Sequence, residues 1–203
     1  FFTELDHQRR LYLGSGASII VLILVGLVVA PQLIAAEREA GTYDFSWSLP
    51  IPRSATVVAW LATNVVVSVP AAAAALWVAA WRLDLSLSPG WVLLPAGLLV
   101  LVSGTLIGYA VGHAIPNPNI TQVVAQVLAF GILGFTPVTY PLENLPAWLG
   151  SLHEVLPFYH MGVVMRHGLS EGTMTATATS YGVLAAWTLG LVGMTAWVVG
   201  RRR

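Results

Sequence analysis

The chain has 203 residues, of which 57% are hydrophobic and only 9% are Asp, Glu, Lys or Arg. Soluble domains carry about 25% charged residues, so a surface this poor in charge has to be covered by lipid. Nine basic residues balance nine acidic ones, which makes nucleic acid no obvious partner, and the absence of Cys excludes a cysteine-ligated metal.

A membrane-crossing helix needs about 20 mostly apolar residues. Five such runs occur in order, at roughly 17–36, 55–81, 91–112, 120–140 and 180–199. None has an Asp, Glu, Lys or Arg in its middle, as expected where a charge in hydrocarbon is costly. The fold class expected is therefore an all-α integral membrane protein with no water-soluble domain of any size.

Short polar pieces join the runs. Residues 37–54 are the most charged stretch, 82–90 form a short loop, 113–119 read as a tight Pro/Asn break, and 141–179 are longer and semi-polar. Arg201, Arg202 and Arg203 follow the last run directly and place the C-terminus in the cytoplasm by the positive-inside rule. Counting back, 37–54 and 113–119 face the cytoplasm, while 1–16, 82–90 and 141–179 face outside. Five arginines then lie inside and four, Arg9, Arg10, Arg82 and Arg166, lie outside. The chain opens Phe1-Phe2-Thr3 without an initiator Met or a signal-peptide pattern. With an odd span count, one further helix is expected upstream, making these the last five of six. The basic residues other than His are all Arg, and together with the Ala, Gly and Val excess this suits a GC-rich bacterial genome and a bacterial plasma membrane.

Residues 36–53, AEREAGTYDFSWSLPIPR, are the sharpest local feature. A hydrophobic helix runs into Glu37-Arg38-Glu39, and Gly41 can end it by adopting the left-handed conformation. Thr42, followed by Asp44, can cap a new helix of about two turns, which Pro50 and Pro52 stop, and Ser54 can cap the next span. Tyr43, Phe45 and Trp47 on so short a helix form either a docking surface or an interfacial helix with its aromatics at headgroup level.

The pattern E-R-E-x-G-T, an aromatic or acidic stretch, then P-x-P/S-R before a new span resembles the export-type ABC transporter permeases. A second match is PLENLPAWLGSLHEVLPFYHMGVVMR, residues 141–166. It carries Pro141, Leu145-Pro146-Ala147-Trp148-Leu149, Leu156-Pro157-Phe158-Tyr159 and Arg166, preceded by Gly134 at the end of the fourth run. The resemblance spans most of the chain and implies a single permease domain over 1–203, part of a six-helix exporter membrane domain. It implies a cytoplasmic coupling helix that rests in a cleft of a separate ABC ATPase subunit, here Glu37, Arg38, Glu39, Gly41, Tyr43, Phe45 and Trp47. It also implies a second permease, identical or not, and Mg-ATP bound by the ATPase rather than by this chain. The chain has no phosphate-cradling Gly-x-x-x-x-Gly-Lys-Ser/Thr loop and no Lys at all. One departure is Tyr43-Asp44-Phe45-Ser46-Trp47-Ser48, where relatives often have plainer Leu/Glu-rich sequence.

Gly104, Gly108 and Gly112 are four apart in the third run, a small-x-x-x-small pattern that favours close helix packing. Gln122 and Gln126 are one turn apart in the fourth, with Phe130 a turn further. They form either an interhelical hydrogen bond or a face on the substrate path, which resembles the fifth helix of related exporters. Thr63 and Asn64 read as packing contacts. The outer 141–179 segment is expected to hold one or two short amphipathic helices against the membrane face. His153, His160 and His167 recur every seven residues, but Pro157 interrupts the helix and two turns separate ligands by about 10 Å, so interfacial polar residues are favoured over a metal site. Glu154 follows His153, yet the pattern His-Glu-x-x-His fails at Pro157.

Three functions are weighed. A membrane-embedded enzyme lacks its motifs, and a secondary transporter lacks intramembrane charges for ion coupling. An ATPase-powered permease for a drug-like, lipid-like or other amphipathic molecule is favoured, with no catalysis in this chain.

Overall fold

The computed structural model describes residues 7–170 and 176–200. The Arg201–Arg203 triplet, residues 1–6 and 171–175 lie outside these described residues. The protein is all α-helical, and its only extended pairing among the described residues is an isolated bridge between Ser88 and Ser170.

The first run is one long helix in three parts. α1, His7–Leu24, passes through a π-helical turn, Val25–Val29, into α2, Ala30–Glu39. The expected span of 17–36 was too short at its start, because Leu11, Tyr12 and Leu13 carry the apolar face onward. Pro31 explains the π turn: its ring crowds the carbonyl four residues back and it has no N–H to give, so the helix widens there.

α3, Thr42–Ser48, is the short helix after Gly41. α4, Arg53–Leu83, α5, Leu93–Ala114, and α6, Pro118–Phe135, follow. The fourth expected run overshot: α6 ends at Phe135, because Thr136 turns extended ahead of Pro137. A short 3₁₀ turn, Leu142–Asn144, leads to α7, Ala147–Val155, α8, Pro157–Leu169, and α9, Ala178–Gly200. Among the described residues, four helices are long and apolar enough to cross a membrane, at 9–39, 53–83, 93–114 and 118–135. The fifth expected run coincides with α9.

α5 is the central helix, packing on α1 and its π turn, on α2, α4, α8 and α9. Its Val100 shares a core with Ile19, Ile23, Leu27, Met161, Val164 and Leu184, all fully buried. α4 and α6 flank the bundle and expose long apolar faces. The loops sort to two ends. One end holds α3, the α5–α6 turn and the last turns of α9. The other holds the start of α1, the α4–α5 loop, α7 and α8. Trp81, Trp91 and Trp148 stand exposed at that second end, and Trp is the residue type enriched where spans meet the membrane–water interface.

α7 is amphipathic, burying Leu149 and His153 on one face. α8 departs from the expectation of an outer surface helix. Nine of its thirteen residues are buried, and it packs against α1, α5 and α9 inside the bundle. Small residues permit this: Gly168 lies against the backbone of Leu93, where a Cβ would come within 2.7 Å of the Leu93 Cα.

Candidate functional site

The site at the α3 end begins with Gly41. Its φ of 72° is left-handed, which ends α2 and turns the chain into α3. Thr42 does not cap α3, as the sequence led one to expect; its hydroxyl donates to the Glu37 carbonyl at 3.2 Å and so satisfies the end of α2. Nor does Ser54 cap α4, which starts one residue earlier behind Pro52.

The three aromatics of α3 divide. Tyr43 and Trp47 are four residues apart and share one face. That face points at the spans. Tyr43 is only 5% exposed, while Trp47 is half-buried. The Arg38 guanidinium sits 4.6 Å from the centre of the Tyr43 ring and also donates to the carbonyl of Ile115 in the α5–α6 turn. The Arg53 guanidinium lies 5.4 Å from the Trp47 ring. His113 meets the edge of Trp47 at 5.8 Å and stacks on Tyr109 at 3.9 Å, with its Nδ1 2.9 Å from the Tyr109 carbonyl. Phe45 faces the other way and is 66% exposed. Tyr43 is therefore no free docking anchor; it fastens α3 to α2 and α5, and Phe45 is the aromatic offered outward.

Glu37 is half-buried and lines a cavity of about 250 Å³ together with Tyr43, Trp47, Trp60 and His113. Glu39 is exposed and accepts a hydrogen bond from Gln122 Nε2 at 3.3 Å. Gln122 thus ties α6 to the base of α3. Gln126 and Phe130 lie on the outward face of α6 with Val123 and Val127, and Phe130 is 70% exposed. Among the described residues, no other helix covers Gln126, which is exposed.

The three glycines of α5 face the long first helix. A Cβ on Gly108 would run into the backbone of Gly26, inside the π turn, and one on Gly112 would meet Ile34 Cδ1 at 2.6 Å and the Pro31 Cα at 3.1 Å. Gly104 is looser, at 3.8 Å from the Ile23 carbonyl. Asn64 is buried, whereas Thr63 is exposed and bonds to its own helix at Ala59.

At the opposite end, Arg166 of α8 is 4% exposed. It donates from Nη1 to the Val138 carbonyl at 2.7 Å and from Nη2 to the Pro137 carbonyl at 3.4 Å, and its guanidinium lies 4.2 Å from the Tyr12 ring. Burial lowers its pKa to about 10, so it stays a cation at neutral pH. The three histidines have separate partners. His153 Nδ1 lies 2.8 Å from the Leu149 carbonyl, His160 Nε2 2.8 Å from the Glu154 carbonyl, and His167 Nδ1 3.0 Å from the Tyr181 hydroxyl. Among the described residues no three His, Asp or Glu converge as metal ligands.

Residues 2–197 match the family model described as ABC-2 family transporter protein. The chain belongs to that family. As an ABC-2 permease it is a membrane component of an ABC transporter, and membership implies an ATPase subunit as partner. No curated protein matches the ABC-2 chain significantly. Sequence reasoning missed Gly26, Tyr109 and His113 and gave Arg166 no structural role. The Tyr109–His113 pair, four apart at the end of an apolar run beside two glycines, was the available signal for the α3 dock.

Proposed function

We propose that this chain is the permease subunit of an ATP-driven exporter, in which α3 is the coupling helix that a cytoplasmic ATPase grips. The observation that supports this most is the division of α3. One face is fastened to α2, α4 and the α5–α6 turn by Tyr43, Trp47, Arg38 and Arg53, and the other offers Phe45. A helix that only floated at the interface would have no need of fastenings to three elements. Force applied at Phe45 passes through Arg38 to Ile115 and through Glu39 to Gln122, and so reaches the start of α6.

On this reading the α3 end is cytoplasmic and α7 and α8 are outside. Residues 1–203 act as one permease domain, with α9 as a crossing helix, in a bacterial plasma membrane. The outward face of α6 with Gln122, Gln126 and Phe130 borders a path shared with a second permease, identical or different. A polar Gln126 on an exposed membrane face is better placed against protein or water than against lipid tails. The substrate class that suits a path of amides, aromatics and Val is an amphipathic, drug-like or lipid-like molecule. Mg-ATP binds the partner ATPase. The test is co-purification with a candidate cytoplasmic ABC ATPase subunit, followed by ATP hydrolysis in lipid with candidate amphiphiles. Failure of the two proteins to associate, or hydrolysis that no amphiphile stimulates, would overturn the proposal.

A further inference from the structure

Thr195 of α9 is 4% exposed, and its buried Oγ1 has no hydrogen-bond partner among the described residues. Other threonines within the helices turn the hydroxyl back on their own backbone. Thr63 donates to Ala59 at 2.9 Å, Thr105 to Leu101 at 2.7 Å, Thr121 to Asn117 at 3.0 Å and Thr188 to Leu184 at 2.7 Å. Thr195 does not make that bond, and a buried hydroxyl left unpaired is costly. It lines a cleft of about 390 Å³ towards the α3 end, between α4 and α9, which both pack on α5 but scarcely on each other. Val57, Leu61, Val102, Leu106 and Val192 give the cleft hydrocarbon walls, and it opens sideways, since Val58 and Val192 are exposed.

We propose that this cleft holds one acyl chain of a membrane lipid, and that the ester carbonyl of that chain accepts the hydrogen bond of Thr195. The walls select a hydrocarbon chain, and the volume falls within the range of about 300–1,000 Å³ typical of ligand sites. Depth selects the ester. Trp197 stands exposed two residues further along α9, and Trp is enriched where spans meet the membrane–water interface. Two residues of helix are about 3 Å, so Thr195 lies just inside that level, where ester groups join headgroups to chains. The headgroup stays at the mouth of the cleft and takes no part in recognition. The lipid fills the gap between α4 and α9, and so braces the span that follows α3. The site lies apart from the exposed face of α6 and does not depend on the direction of transport.

The experiment uses the purified full-length protein in detergent, given phosphatidylcholine with either ester-linked or ether-linked chains, which differ only in the carbonyls. Native mass spectrometry reads retained lipid, and thermal unfolding reads stabilisation. The wild type should retain one ester lipid about fivefold more strongly than the ether lipid, as expected for one hydrogen bond, and should unfold at a higher temperature with it. Thr195→Val keeps the shape of the side chain and should retain both lipids equally, while Thr195→Ser keeps the preference. Without added lipid, Thr195→Val should unfold no lower than the wild type, because no bond within the protein is lost. Val192→Trp, on an exposed position, fills the cleft and should abolish retention of either lipid there. Equal retention of the two lipids by the wild type, a preference that survives in Thr195→Val, a lower unfolding temperature for that variant without lipid, or a second copy of the chain cross-linked at Val58 would each overturn the proposal.

Discussion

The carbonyl of Gly26 occupies the place where a side chain on Gly108 would begin. Two backbones touch there, the π turn of the first helix and the middle of α5. Main-chain atoms cannot swing aside as a flexible side chain can, so Gly108→Ala has to push the helices apart. Overpacking of this kind costs about 1–3 kcal/mol. Gly104→Ala meets only ordinary contact distances and should be nearly neutral. Thermal unfolding of the purified variants checks the order, with Gly108→Ala lowered by several degrees and Gly104→Ala close to wild type. Equal effects would show that the two glycines are not distinguished by packing.

Arg166 holds two carbonyls at the point where α6 gives way to the segment leading to α7 and α8. Arg166→Met leaves the Pro137 and Val138 carbonyls without their charged donor in a buried setting, a loss of about 1.5–3 kcal/mol. Arg166→Lys keeps the charge but lacks the planar fork and the stacking surface on Tyr12, so it should rescue in part. Hydrogen exchange over residues 136–146 reads the effect locally. Faster exchange in Arg166→Met with partial recovery in Arg166→Lys is expected, and unchanged exchange in both would remove the residue's anchoring role.

The membrane class and the positions of the runs were legible because long stretches without charge have one cheap explanation. So was the turn at Gly41. The burial of α8 was not legible. Arg166, His160 and His167 make its sequence look like an interfacial helix, and the carbonyls that accept from Arg166 lie 28 and 29 residues away. The orientation of Tyr43 was hidden for the same reason. Spacing puts Tyr43 and Trp47 on one face, but only the contact with His113, remote in sequence, shows that this face turns inward. Gly26 stood alone among apolar residues, and nothing local pairs it with a glycine 82 positions later.

Single cysteines on this Cys-free chain test the arrangement of the two ends. Ser46 in α3 and Glu143 before α7 are both exposed and lie at opposite ends of the bundle. In intact cells an impermeant thiol reagent should label Glu143→Cys and spare Ser46→Cys until the membrane is opened. The reverse pattern would invert the protein in the membrane and place α3 where no ATPase can reach it.

The last prediction separates the two faces of α3. If Phe45 is the residue gripped by the ATPase, Phe45→Ala removes a contact without disturbing the fastening of the helix. Truncation of a buried aromatic anchor often costs about 2 kcal/mol or more, roughly a thirtyfold loss of affinity. ATPase co-purification should fall by that order while the permease itself unfolds at the wild-type temperature. Tyr43→Ala acts differently. It removes the ring that Arg38 covers and that packs beside His113, and it leaves Phe45 in place on a loosened helix. Association should then fall less, but ATP hydrolysed per substrate moved should rise, because a slack helix moves without pulling α5 and α6. Tyr43→Phe keeps the ring and should lie between Tyr43→Ala and the wild type, since it loses the hydroxyl that accepts from Arg38 at 3.5 Å. The measurements are ATPase recovery on affinity purification and transport per ATP in proteoliposomes. Identical outcomes for Phe45→Ala and Tyr43→Ala would mean that α3 presents no distinct gripped face, and normal values for both would return it to a helix lying passively in the interface.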